Sequence, residues 1–277
     1  MALRINTNIA ALNAHRQLAD TDARLSVSME RLSSGYRINK AKDDVAGLSI
    51  ANAFRMEVRG LRMAQQNASQ ATALLQVAEG GANKIETIIE RLKELATSAA
   101  SSNVDDTGRA RLNAEASALL SEIDRIANDT QYGGTALLTG TVNLTFQIGN
   151  ANDSALDQIT VNLSQGLTTA NLGLNSVDLS SLASAQSAIT DINSSLTSVN
   201  IALGQIGAAQ SRLEFASANL AVTIENIAAS ESTIRDVDMA FEMVNFTKNQ
   251  ILLQAGTAML AQANMAPQSI LALLGGR

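Results

Sequence analysis

The sequence predicts a mostly α-helical protein, with long coiled-coil and bundle helices drawn from both chain termini and a small β-hairpin region. Three observations carry this. A single proline in 277 residues lets long helices run on, since an interior proline costs about 3 kcal/mol. Aromatic residues are 3% of a chain that is 46% hydrophobic, and alanine supplies roughly one residue in six. A core of Ala, Leu, Ile and Val with few rings suits close helix packing better than a sandwich or a doubly wound sheet. Finally, apolar residues recur at alternating spacings of three and four over long stretches, the pattern of a helix–helix seam.

The elements follow in order. Ile5, Ile9, Leu12, Leu18, Leu25, Met29 and Leu32 give the N-terminal stretch an apolar line. Asp43 and Asp44, beside Lys40 and Lys42, read as a solvated turn capping a helix that starts near Val45. Ala71, Leu74, Ala78, Gly81, Ile85, Ile88, Leu92, Leu95 and Ala99 form an unbroken seam. A shorter one runs through Leu112, Ala116, Leu119, Ile123 and Ile126. Polar residues 101–108 between them predict an antiparallel helical hairpin. The period then changes to two: Val142, Leu144, Phe146 and Ile148, a turn at 149–154, then Ile159, Val161 and Leu163. Residues 164–184, rich in Ser, Thr, Asn, Gly and Leu without a period, read as an exposed connection. A long seam resumes from Ile189 to Ile227, interrupted only by Gln210 and Ser217.

The C-terminal stretch is different in kind. Ile234, Val237, Phe241, Val244, Lys248, Ile251, Ala255, Ala258, Gln262 and Met265 make one three–four seam. Met239, Phe246, Leu253 and Leu260 make a second line, repeating every seven residues. At about 100° per residue the two lines lie on opposite sides of the helix. One neighbouring helix cannot bury both. The N-terminal stretch is the obvious neighbour for one face, and the other needs a further partner.

Composition removes whole classes of function. With no cysteine there are no disulfides, thiolate metal sites or cysteine nucleophiles. One histidine, His15, cannot build a multi-histidine metal centre. A net charge of −6 and a pI near 4.9 argue against a nucleic-acid partner. No apolar run reaches the ~20 residues of a membrane helix, so no membrane insertion is expected. No nucleophile–base–orienter set is visible; the expectation is a protein that is not an enzyme and carries no cofactor or metal.

Two long motifs are specific. Residues 31–48, RLSSGYRINKAKDDVAGL, resemble the N-terminal signature of bacterial flagellins. Residues 231–240, ESTIRDVDMA, and 262–268, QANMAPQ, resemble the C-terminal one. The likeness covers about 1–140 and 185–274, with the family's outer domains nearly absent. It implies an inner coiled-coil domain and spoke from 1–44 plus 230–277. It further implies a helical bundle with a β-hairpin from 45–163 plus 185–229, and a short surface loop at 164–184. It implies a structural subunit that polymerises with copies of itself into the extracellular flagellar filament. Such a subunit is exported without a cleaved signal peptide through the flagellar type III apparatus, with a chaperone and a cap protein as partners. Termini that order on assembly are also implied.

On this reading Ile5, Ile9, Leu12, Leu18, Leu25, Met239, Phe241, Val244, Phe246, Ile251, Leu253 and Leu260 are the filament-core assembly residues. By position in the family, Arg91, Leu95 and Glu122 correspond to contacts with Toll-like receptor 5 of an animal host. Two alternatives stand beside it. A hook–filament junction protein would share the N-terminal likeness, but the match at 262–268 favours the filament, and copy number per flagellum separates the two. A helical coiled-coil signalling module would show continuous heptads without the hairpin.

Overall fold

The computed structural model describes residues 8–275 apart from Thr141 and Asn152, with side chains as far as Met265. Five long helices dominate: α1 (Ile9–Ser34), α2 (Val45–Ala99), α3 (Asp106–Asp129), α4 (Leu182–Arg235) and α5 (Met239–Gly275). Between α3 and α4 lie β1 (Gln131–Tyr132), β2 (Thr135–Ala136), β3 (Val142–Gln147) and β4 (Gln158–Leu163). The chain divides into two compact units, Met1–Met56 with Ile227–Arg277, and Glu57–Asn226. These limits fall inside α2 and α4, whereas the sequence reading put them at 44/45 and 229/230. A local break in pattern marks where a helix starts, not where its packing partners change.

In the Glu57–Asn226 unit, α2 and α3 run antiparallel. Arg91 donates from Nη2 and Nε to Glu115 Oε1 at 3.0 and 3.1 Å. Arg109 Nη1 donates to the carbonyls of Ala99 and Ser101, both at 3.2 Å, and so closes the end of α2. Asp105 caps α3 by accepting from the Gly108 N–H at 2.9 Å. The seam of α2 buries Ala71, Ala78, Ile85, Leu92 and Ala99 in one cluster with Ala116 and Ile123 of α3 and Ile192, Val199, Ile206 and Leu213 of α4. Gln210, a polar interruption of the α4 seam, donates to Glu79 at 2.8 Å, so its amide is satisfied where it enters the interface.

Strands β3 and β4 pair antiparallel, Val142 opposite Leu163 and Phe146 opposite Ile159. Ile159, Val161 and Leu163 are buried in the helical core, as the alternation predicts. The short β1–β2 pair turns on Gly133 and Gly134, at φ 58° and 84°. A two-residue hairpin with both φ positive strongly favours this dipeptide, and the sequence reading passed over it.

The segment 164–184 corrects an expectation. It is not an exposed loop: Leu167, Leu174 and Leu179 are fully buried and Leu172 nearly so. Its backbone is tied down from α3 and from the strand region. Asp124 accepts from the Thr169 N–H at 2.8 Å and the Thr169 hydroxyl at 2.7 Å. Asn113 Oδ1 accepts from the Leu179 N–H at 2.9 Å, and the Leu167 N–H donates to the Leu138 carbonyl at 2.8 Å. Leucine side chains supply the apolar surface, and α3 supplies the hydrogen bonds that the irregular backbone needs. Asp124→Ala strips both partners from Thr169, at a cost of about 2–3 kcal/mol. The expected result is a melting temperature lowered by roughly 5–10 °C, measured by circular dichroism. Glu122→Ala, on an exposed ion pair, should leave it unchanged.

Candidate functional site

In the other unit, α1 and α5 form an antiparallel pair. Asn8 Nδ2 donates to the Ala263 carbonyl at 2.8 Å at one end, and Arg31 Nη1 lies 3.6 Å from Glu242 Oε2 at the other. The buried and half-buried face of α1 carries Leu18, Leu25 and Leu32, alternating with Ala14, Thr21 and Ser28. That of α5 carries Phe246, Leu253 and Leu260, alternating with Asn249, Gly256 and Ala263. Large residues therefore find small ones opposite. A Cβ placed on Gly256 would stand 3.0 Å from Leu18 Cδ1, so glycine is what brings the helices this close. Sequence reasoning missed Thr21, Ser28 and Glu242, all buried here. Their signal was the spacing of seven that they share with the leucines.

The breaks between helices are knitted together within this unit. The Arg37 N–H donates to the Arg235 carbonyl at 2.7 Å, and the Val237 N–H to the Gly35 carbonyl at 3.0 Å. The Arg235 guanidinium sits 4.2 Å from the centre of the Tyr36 ring, a cation–π contact. Gly35 ends α1 at φ 75°, the left-handed cap that glycine serves best. Asp44 Oδ1 accepts from the Gly47 N–H at 2.9 Å, capping α2. Asp43 accepts from the N–H groups of Lys40 and Asn39 at 2.9 and 3.2 Å, bonds that hold its carboxyl below the usual range. The acidic pair is thus a capping turn, as its position before Val45 suggests.

Because α1 covers one side of α5, the other side stays open. Phe241, Val244 and Ile251 are 67%, 66% and 61% exposed, and Met239 is exposed as well. Met243, Val244, Thr247, Lys248, Ile251 and Leu252 line a groove of about 510 Å³. On α1, Ile9 and Leu12 are also exposed, Leu12 by 62%. Of the expected assembly residues, then, Leu18, Leu25, Phe246, Leu253 and Leu260 face the intramolecular pair. Ile9, Leu12, Met239, Phe241, Val244 and Ile251 face outward. Ile5 lies outside the described residues. Single exposed apolar side chains are ordinary, but a continuous apolar face marks an interaction surface.

The second expected surface is split. Arg91 is held by Glu115 and by Glu94, whose Oε2 lies 2.7 Å from Nη1. Glu122 pairs with Arg125 at 2.7 Å, which lowers its carboxyl below the ordinary value. Both side chains reach the surface. Leu95 does not: at 3% exposure it belongs to the core, and its expected role as a receptor contact is corrected accordingly. Its position in the three–four seam decides the matter. Among the described residues no group of three His, Cys, Asp or Glu is placed to hold a metal ion. No described helix is long and apolar enough to cross a membrane.

Comparison with known proteins agrees with this architecture. Residues 5–143 match the bacterial flagellin N-terminal helical region, and residues 185–274 the bacterial flagellin C-terminal helical region. The Flagellar filament 33 kDa core protein of Treponema phagedenis is 40% identical, over 98% of this chain and 99% of its own. A flagellin of Bacillus subtilis strain 168 is also 40% identical, over 98% of this chain and 100% of its own. The crystal structure of Bacillus cereus flagellin aligns at a TM-score of 0.50 and 26% identity, covering 60% of this chain and 94% of that one. Family matches at both ends, in chain order, flank a core with no room given to an outer domain. This chain therefore belongs to the bacterial flagellin family and is a structural subunit of the flagellar filament.

Proposed function

We propose that this subunit polymerises through the face of α5 that α1 leaves open, with Phe241, Val244 and Ile251 packing against other copies of the chain. The observation that carries the reading is the two-sided apolar character of α5, with one side already occupied within the subunit. A helix that is apolar on both sides needs two neighbours, and a homopolymer supplies the second. By the family likeness, the unit built from the chain ends supplies the inner layer of the filament. Ile9 and Leu12 extend the same contact from α1.

Export through the flagellar type III apparatus, with a chaperone and a cap protein as partners, follows from the family likeness. The same likeness offers Arg91 and Glu122 to Toll-like receptor 5, and their surface position supports it.

The test is substitution on the open face. Val244→Asp and Ile251→Asp should leave the circular dichroism and melting of the free subunit unchanged, because both positions are exposed in it. In the filament each would bury a carboxylate on an apolar face, where Lys248 one turn away is the one cation of the groove, at a cost of several kcal/mol. The concentration needed for seeded growth should then rise by about a thousandfold, read as loss of polymer in sedimentation. Growth of both variants at the wild-type concentration would overturn the reading.

A further inference from the structure

Methionine is distributed in this protein in an unusual way. The chain has eight, and the seven with described side chains are all 48–70% exposed. None belongs to the buried core, which is built from Ala, Leu, Ile and Val. Four lie on α5: Met239, Met243, Met259 and Met265. Met243 lines the groove beside Val244 and Ile251. Met259 lies about five turns beyond Phe241 on the same line of the helix, and Met265 about four turns beyond Ile251. With no cysteine, the eight methionine thioethers are the chain's only sulfur and its most readily oxidised groups.

Resting on the assembly surface proposed above, we infer that Met239, Met243, Met259 and Met265 form a reversible modification site that makes polymerisation sensitive to peroxides. The thioether sulfur attacks a hydroperoxide oxygen. The O–O bond breaks, an S–O bond forms, and the hydroperoxide leaves as water or an alcohol. The sulfur loses two electrons, and the side chain becomes a methyl sulfoxide, polar and a strong acceptor. In the free subunit this costs nothing, because these side chains face water and no described methionine supports the core. In the filament the sulfoxide would exchange water for a mostly apolar contact, in which Thr247 and Lys248 are the donors of the groove beside Met243, at a cost in free energy. Oxidation therefore selects the unassembled subunit as its target and removes it from growth. Methionine sulfoxide reductases of both stereochemical classes restore the thioether, with a dithiol oxidised to a disulfide and the oxygen released as water.

The probe is hydrogen peroxide acting on the purified free subunit, followed by seeded growth. Peptide mass mapping should find the four α5 methionines as sulfoxides, with the melting temperature of the folded subunit unchanged. Seeded growth should fall by at least about tenfold and return after treatment with the two reductases and dithiothreitol. The variant with all four α5 methionines replaced by leucine should grow normally and resist peroxide.

A second measurement needs no variant. When partly oxidised subunits are offered to seeds, sulfoxide at these four positions should be depleted in the polymer and enriched in the unincorporated fraction. Equal distribution between the two fractions overturns the inference. So does normal growth of the fully oxidised subunit, or equal peroxide sensitivity of the leucine variant. Those results would leave the assembly surface standing. That surface fails separately, if Val244→Asp and Ile251→Asp subunits polymerise normally.

Discussion

Leu174→Asp should abolish the cooperative unfolding of the Glu57–Asn226 unit at its present temperature. Leu174 is fully buried, in one cluster with Leu167 and Leu179, and opens a short 3-10 turn, Leu174–Ser176, that follows Gly173 at φ 70°. Removing the leucine forfeits about 2–5 kcal/mol of burial, and the carboxylate adds several more because it leaves water for an apolar cluster. The sum is comparable to the whole stability of a domain, about 5–15 kcal/mol. Thermal melting should therefore fall by more than about 15 °C or lose its sharp transition. Asn175→Asp, next in sequence but exposed, is the control and should melt normally. A peptide tag inserted after Asn175 should be as damaging as Leu174→Asp, since it pulls Leu174 and Leu179 out of register with each other. A normal melt for the tagged protein would show that these leucines do not hold the core.

The second large effect is expected on the inward face of α5. Leu253 is half-buried between the helices, among the large residues that alternate with Asn249 and Gly256. Leu253→Asp should separate α1 from α5 in the free subunit. The partner face of α1 offers Leu18, Thr21, Leu25 and Ser28, apolar or uncharged side chains that cannot pair the new carboxylate. Helices held mainly by packing lose their order when the packing goes, so helical signal should fall while the Glu57–Asn226 unit melts as before. Polymerisation should stop as well. This differs from Val244→Asp and Ile251→Asp, which stop growth without touching the free subunit. Hydrogen exchange along α5 separates the two classes: Leu253→Asp should lose protection over its length, and Ile251→Asp should keep it. Retained protection in Leu253→Asp would mean that α1 is not what covers this face.

Periodicity made most of the fold legible before any coordinates. The seams of α2, α3 and α4 and the alternation of β3 and β4 are local patterns, and each maps onto a buried line in the structure. Leu95 illustrates how such a pattern outranks position in a family motif: a residue on a three–four seam faces the core, whatever its neighbours contact. The acidic turn at Asp43–Asp44 was equally readable, because capping is decided within four residues. The breadth of the α5 interface was readable in part. Two apolar lines were evident, but not which of them α1 would take.

That choice belongs to tertiary structure, and so does the fate of residues 164–184. The three–four seam of α5 is the longer pattern in sequence, yet α1 packs on Phe246, Leu253 and Leu260 of the line of sevens and leaves Met239 exposed. There, large side chains alternate with Asn249, Gly256 and Ala263 and meet a complementary alternation on α1. Shape complementarity between two helices has no signature in either one alone. In 164–184 the buried leucines, Leu167, Leu172, Leu174 and Leu179, stand at spacings of five, two and five, which match neither helix nor strand. Their burial depends on Asp124 and Asn113, 45 and 66 residues before the residues they bond, holding a backbone that cannot satisfy itself. Local periodicity reports regular structure because regular structure satisfies its own hydrogen bonds; an irregular segment can be buried only where distant residues do that for it.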